Sequence, residues 1–207
     1  EPSQKAVDEI KRSVERSALP QDAKETLLAK AREAVKAGIQ PDDIAVIVGR
    51  GLERGVDGKV IAGFLDTAVK VKAANLPVGP VLDRIEQGLS KGVPPDRISM
   101  VAKQLSEKLG IAHGMVNDLV SKGVKAAKTA DREAVVQTVA RALESSVPEE
   151  VISQTGVKAR KQNYSLSLFE RAVDTLTTLA ENGVPVNPAA RLVQKAVDSG
   201  YSEKELL

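Results

Sequence analysis

Arg50-Gly51-Leu52-Glu53-Arg54-Gly55-Val56 recurs, position over position and without a gap, as Gln87-Gly88-Leu89-Ser90-Lys91-Gly92-Val93, 37 residues further on. Gly38 and Asn75 stand at the same offset. Leu76-Pro77-Val78-Gly79-Pro80-Val81 returns as Val184-Pro185-Val186-Asn187-Pro188-Ala189 at an offset of 108, three times 36. A phrase that comes back at a fixed interval marks a repeat architecture, in which each copy is one supersecondary unit that buries its apolar face on the next.

Outward from those phrases the periodicity is helical. Ile44, Ile47, Val48 and Leu52 share one helix face, as do Ile98, Val101, Ala102 and Leu105, and Leu168, Ala172, Val173, Leu176 and Leu179. The stretches stop at glycine followed by an apolar residue: Gly38-Ile39, Gly55-Val56, Gly92-Val93, Gly110-Ile111, Gly123-Val124, Gly183-Val184 and Gly200-Tyr201. Glycine takes the left-handed conformation after a helix and the next residue packs back on the last turn. Pro and Asp then open the next helix, as in Gln40-Pro41-Asp42-Asp43 and Pro94-Pro95-Asp96. The fold class is therefore all-α: an α-solenoid-like array of short antiparallel helix pairs repeating every 36–37 residues.

The expected helices lie near 3–17, 21–37, 41–54, 57–74, 78–91, 94–109, 112–122, 131–145, 148–155, 166–182 and 186–199, with another beginning at Ser202. Residues 1–146 form a helical-repeat lobe opened by an amphipathic capping helix, 147–165 an irregular linker or insertion, and 166–207 a C-terminal repeat segment, in one elongated domain. Gly51 and Gly88 sit inside helices, where glycine costs roughly 0.5–1 kcal/mol relative to alanine, so a neighbouring helix is expected to pass close to each. Leu206 and Leu207 need cover from the preceding helix pair or from a second chain.

Composition narrows the chemistry. In 207 residues, 30 Lys+Arg oppose 28 Asp+Glu, for a net charge of +2, too little for a surface that wraps nucleic acid. Two Phe and two Tyr among 42% hydrophobic residues mean an aliphatic core. No apolar run reaches the roughly 18–20 residues of a membrane span. Without cysteine there are no disulfides, thiolate metal sites or thiol nucleophiles, and a single His leaves one candidate base for a Ser-His-Asp arrangement. No cofactor is expected. A cysteine-free chain opening Glu1-Pro2 suits export, so a periplasmic or secreted location is the expectation and a cytoplasmic one the alternative.

Several motifs reduce to structure. Gly49-Arg50-Gly51-Leu52-Glu53-Arg54-Gly55 is one residue too long for the G-x-G-x-x-G dinucleotide turn, and its repeat partner is interrupted by acids. Gly58-Lys59 has Glu53 where a phosphate loop needs its first glycine. The Asp42/Asp43 and Glu149/Glu150 pairs begin helices, where negative charge is favourable by about 0.3–1 kcal/mol.

What remains is a basic region. Val157-Lys158-Ala159-Arg160-Lys161-Gln162-Asn163-Tyr164-Ser165 reads as irregular, with Lys158, Arg160 and Lys161 supplying charge and Tyr164 a flat contact. Lys122, Lys125 and Lys128 add to one patch only if they converge on it in space, and His113 stands in the expected turn after Gly110 or the first turn of the short helix that follows. These eight residues are the candidate binding positions. The functional expectation is a non-catalytic protein- or peptide-binding or scaffolding module. The alternatives are a small-ligand or polyanion binder, and a structural subunit that assembles with copies of itself through its C-terminal helix.

Overall fold

The computed structural model describes residues 2–126, 129–162, 164–202 and 204–206, with the side chains of 2, 3 and 129–131 left out. Ten α-helices follow one another among the described residues: α1 Pro2–Arg16, α2 Gln21–Lys36, α3 Pro41–Glu53, α4 Gly58–Ala73, α5 Gly79–Ser90, α6 Pro95–Ser121, α7 Thr129–Glu144, α8 Glu149–Lys161, α9 Leu166–Glu181 and α10 Val186–Asp198. The all-α array is thus the fold. The sole β feature among the described residues is an isolated parallel bridge between Lys125 and Ser165.

The turns are built as the sequence dictates. Gly38, Gly55, Gly92, Gly123, Gly183 and Gly200 have positive φ, and Asn75 and Ser146 take the same conformation at two further helix ends. After each, the next N–H donates to a carbonyl one turn back, as Val56 does to Gly51 at 2.9 Å and Val93 to Gly88 at 2.9 Å. Ile39, Val56 and Val147 pack back into the core. Pro41 opens α3 at its first position. Asp57 starts α4 by accepting a hydrogen bond from the Lys59 N–H at 2.8 Å.

The chain divides between Ser106 and Glu107, inside α6, into two compact units. In the first, α1 packs on α3 and α3 on α5, while α2 packs on α4, so odd and even helices form two layers. Ile44, Ile47, Val48 and Ile85 are buried in one layer and Leu27, Ala31, Ile61 and Leu65 in the other. Polar side chains rivet successive copies at the repeat spacing: Lys30 to Asp66 at 2.9 Å, and Arg50 to Glu86 at 3.1 Å. The Arg54 guanidinium also donates to the Ser90 carbonyl. Lys70 and Lys30 together hold the Asp66 carboxyl below its ordinary pKa.

In the second unit α9 is the centre, packed on α7, α8 and α10. Phe169, Val173 and Leu176 of α9 are buried, as are Val135 and Val139 of α7, Ile152 of α8 and Val193 of α10. The repeat spacing returns: the Gln162 amide donates to Asp198 at 3.1 Å and the Ser145 hydroxyl to Glu181 at 2.7 Å, each pair 36 residues apart. Gln162 and Asp198 occupy the places of Arg54 and Ser90, 108 residues later.

Three expectations are corrected. No turn follows Gly110, and the helices placed at 94–109 and 112–122 are the single helix α6. The reason is its apolar stripe: Ile98, Ala102, Leu105, Leu109, Ala112, Val116 and Leu119 are buried in an unbroken alternation of four- and three-residue steps. The segment 157–165 is not irregular throughout, because α8 runs on through Gly156 to Lys161. Gly156 is a close-approach glycine, not a stop: a Cβ there would lie 2.7 Å from Leu119 Cδ2. At the C-terminus the helix placed at Ser202 is one turn, closed by the Ser202 N–H and hydroxyl on the Glu205 carboxylate at 2.7 Å each. Leu206 is buried against the chain itself, its carbonyl accepting from Thr175 Oγ1 at 2.8 Å. Leu207 lies outside the described residues.

Candidate functional site

The second unit carries a groove of about 540 Å³ between the last three turns of α6 and the whole of α8. From α6 it receives Gly110, Ile111, Gly114, Met115, Asp118 and Leu119, and from the turn that follows Lys122. From α8 come Glu149, Ile152, Ser153, Gly156, Val157 and Arg160, and Phe169 of α9 closes the bottom. Leu119 of α6 lies on Gly156 of α8 and, further along both segments, Lys125 pairs in parallel with Ser165, so α8 runs in the direction of α6. Twelve residues of α6 at 1.5 Å each give the groove a length of about 18 Å.

Its floor is apolar and its lips are not fully covered. Leu119, Ile152 and Phe169 are buried beneath it, whereas Ile111 and Val157 on opposite helices are 41% and 45% exposed. Gly110 and Gly114 lie one turn apart on α6, and a Cβ at either would meet nothing within 4 Å. Gly51, Gly88 and Gly156, by contrast, each have a neighbouring side chain within 2.7 Å of that position. Gly63 also faces open space; the α6 pair borders a recess.

Charge is distributed by end. Glu149, in the first turn of α8, stands at one end. Lys122 and Arg160 stand at the other, with Lys122 on Asp118 at 2.7 Å. Lys161 is exposed beside Arg160.

The sequence-derived positions are therefore only partly gathered. Lys122 and Arg160 share this groove. Lys158 turns to the opposite side of α8, reaching Asp198 of α10 at 3.7 Å. There Gln162 and Gln194, with a smaller contribution from Lys158, hold the Asp198 carboxyl below the usual range. Tyr164 is half-buried beside Lys158 and Leu168, and burial, with the Asp198 charge in second place, pushes its hydroxyl pKa up. Lys125 is exposed, its carbonyl accepting from the Leu166 N–H at 3.0 Å. His113 lies in the middle of the continuous helix α6, at neither a turn nor a helix start, and its ring meets the Asn117 amide at 3.2 Å. Lys128 lies outside the described residues.

The residues that make the groove, Gly110, Ile111, Gly114, Met115, Ile152, Ser153 and Val157, were not among those positions. Their signal was present: Gly110 and Gly114 four apart, with neither Pro nor an acid after Gly110 to begin a new helix. Among the described residues no group of three or more His, Asp or Glu side chains is placed to hold a metal ion, and no helix is long and apolar enough to cross a membrane. Compared with known proteins, the chain matches no family model, no curated protein and no solved structure. The class it can be given is the one its own packing defines, an all-helical repeat array.

Proposed function

We propose that this chain is a non-catalytic binding module that takes an apolar segment of a protein partner into the α6–α8 groove. The observation that carries this reading is the recess itself, with a floor of Leu119, Ile152 and Phe169 and with Ile111 and Val157 left open at the lips. Its volume lies in the roughly 300–1,000 Å³ range of binding clefts, and its length suits three turns of a bound helix. The uncovered glycines favour the same reading. Each costs α6 roughly 1 kcal/mol relative to alanine, and each keeps the groove clear for a close-lying backbone. A polyanion reading has less support, because Lys122 and Lys158 are partly neutralised by Asp118 and Asp198.

The test is a fluorescence-anisotropy titration with a labelled 14-residue amphipathic helical peptide carrying Leu on one face. The natural chain is expected to bind it, and Gly114→Leu, which fills the recess, to lose at least tenfold in affinity. Leu is the better helix former, so the same variant should melt no lower than the natural chain. Equal binding by the two proteins, or no binding by either, rejects the reading.

A further inference from the structure

Resting on that reading, we infer that the occupant is an amphipathic helix lying antiparallel to α6 and α8, acidic in its first turn and basic in its last. The inference follows from the two ends of the groove. Glu149 stands where α8 begins and Arg160 where it ends, while Lys122, just past the end of α6, is partly neutralised by Asp118. About 11 residues, or some 16 Å of helix, separate Glu149 from Arg160, so a three-turn occupant meets opposite charges at its two ends. The end near Arg160 calls for carboxylates and the end near Glu149 for cations.

A helix tolerates that distribution in one sense only. Acids are favourable in its first turn and bases in its last, where they complement the backbone dipole. An occupant with its acids beside Arg160 therefore has its N-terminus there, against the direction of α6 and α8. The helix ends agree: both groove helices finish at the Arg160 end, and an antiparallel neighbour places its partially positive N-terminus next to their partially negative C-termini. The apolar face between the two charged turns lies on Ile111, Met115 and Val157, with its smallest residues over Gly110 and Gly114.

Two labelled 14-residue peptides of identical composition and identical Leu/Ala face test this, one with Glu in the first turn and Lys in the last, the other reversed. The natural chain should prefer the first by about fivefold at low salt, a preference that fades as salt is raised. The reversed peptide is intrinsically less helical, so the deciding comparison lies in the protein. Glu149→Lys/Arg160→Glu should abolish or invert the ratio, and Arg160→Glu alone should diminish it. The single variant leaves the start of α8 intact if the double one melts early. An unchanged ratio across the three proteins overturns the inference while leaving the binding reading in place, whereas failure of both peptides to bind removes the binding reading itself. Sedimentation of the chain without peptide supplies the last arm. A dimer that Gly114→Leu dissolves would make the occupant a second copy and overturn the inference, and a monomer is the result expected.

Discussion

Ile98 lies so close over Gly88 that a Cβ on the glycine would stand 2.7 Å from the isoleucine Cγ1. Thirty-seven residues earlier, Ile61 makes the same approach to Gly51, its Cδ1 also 2.7 Å from the position of a Cβ. One contact made twice at the repeat interval is the repeat expressed in packing: in both copies a glycine on the odd-layer helix admits the isoleucine at the start of the following even-layer helix.

Gly88→Leu is therefore expected to destabilise the chain by about 1–3 kcal/mol through overpacking, against its gain in helix propensity. Gly63→Ala, where a Cβ meets nothing, should stabilise by up to about 1 kcal/mol. Urea denaturation of both variants makes the comparison, and a Gly88→Leu midpoint at or above the natural one would contradict the close-approach account.

Ser146 holds φ at 63° in the place that glycine occupies after six other helices. A residue with a Cβ is strained there by roughly 1 kcal/mol, so Ser146→Gly is expected to raise stability by about 0.5–1 kcal/mol in spite of glycine's greater freedom when unfolded. A lower melting temperature for Ser146→Gly would show that the Ser146 conformation is not the one described.

Acid should weaken the links between copies. Arg141 reaches Glu181 at 2.5 Å and Asp174 at 3.0 Å. It is the main reason the Glu181 carboxyl lies below its ordinary pKa, with the Ser145 hydroxyl second. Asp66 is lowered in the same way by Lys70 and Lys30. A carboxyl whose folded pKa is depressed contributes stability above its unfolded value, near 4, and loses it as pH falls from there through the folded value. Asp43 works in the opposite sense, its pKa raised first by burial and then by Asp83, Asp42 and Glu86, so its protonation relieves a cost. Because Arg141 is about half exposed, Arg141→Gln should cost only about 0.5–1 kcal/mol at pH 7, and less at pH 2.5, below the ordinary carboxylate range. Denaturation at the two pH values checks this, and an equal cost at both would refute it.

Architecture was legible because glycine, proline and an apolar residue recur in fixed order, and each of the three has a local backbone consequence. The reading failed where one signal stood for two situations. Gly110 resembles the helix-ending Gly92 in sequence, yet Val93-Pro94-Pro95 begins a new helix and Ile111-Ala112-His113 simply continues the buried stripe. Gly156 misled for a different reason, since only the neighbouring Leu119 explains it, and that contact joins residues 37 apart. The basic positions are neighbours in sequence, but a helix sends Lys158 and Arg160 to different sides, one toward α10 and one into the groove. Because the groove is made by two helices with α7 between them in the chain, no single stretch of sequence spells it.

The most direct test of the binding account is an amide chemical-shift map of the ¹⁵N-labelled chain titrated with the acidic-first amphipathic peptide. The account predicts shifts concentrated on residues 110–121 of α6 with Lys122 beyond it, and on 149–160 of α8, absent in Gly114→Leu. Shifts confined to other helices, or none at peptide concentrations that saturate anisotropy, would contradict it.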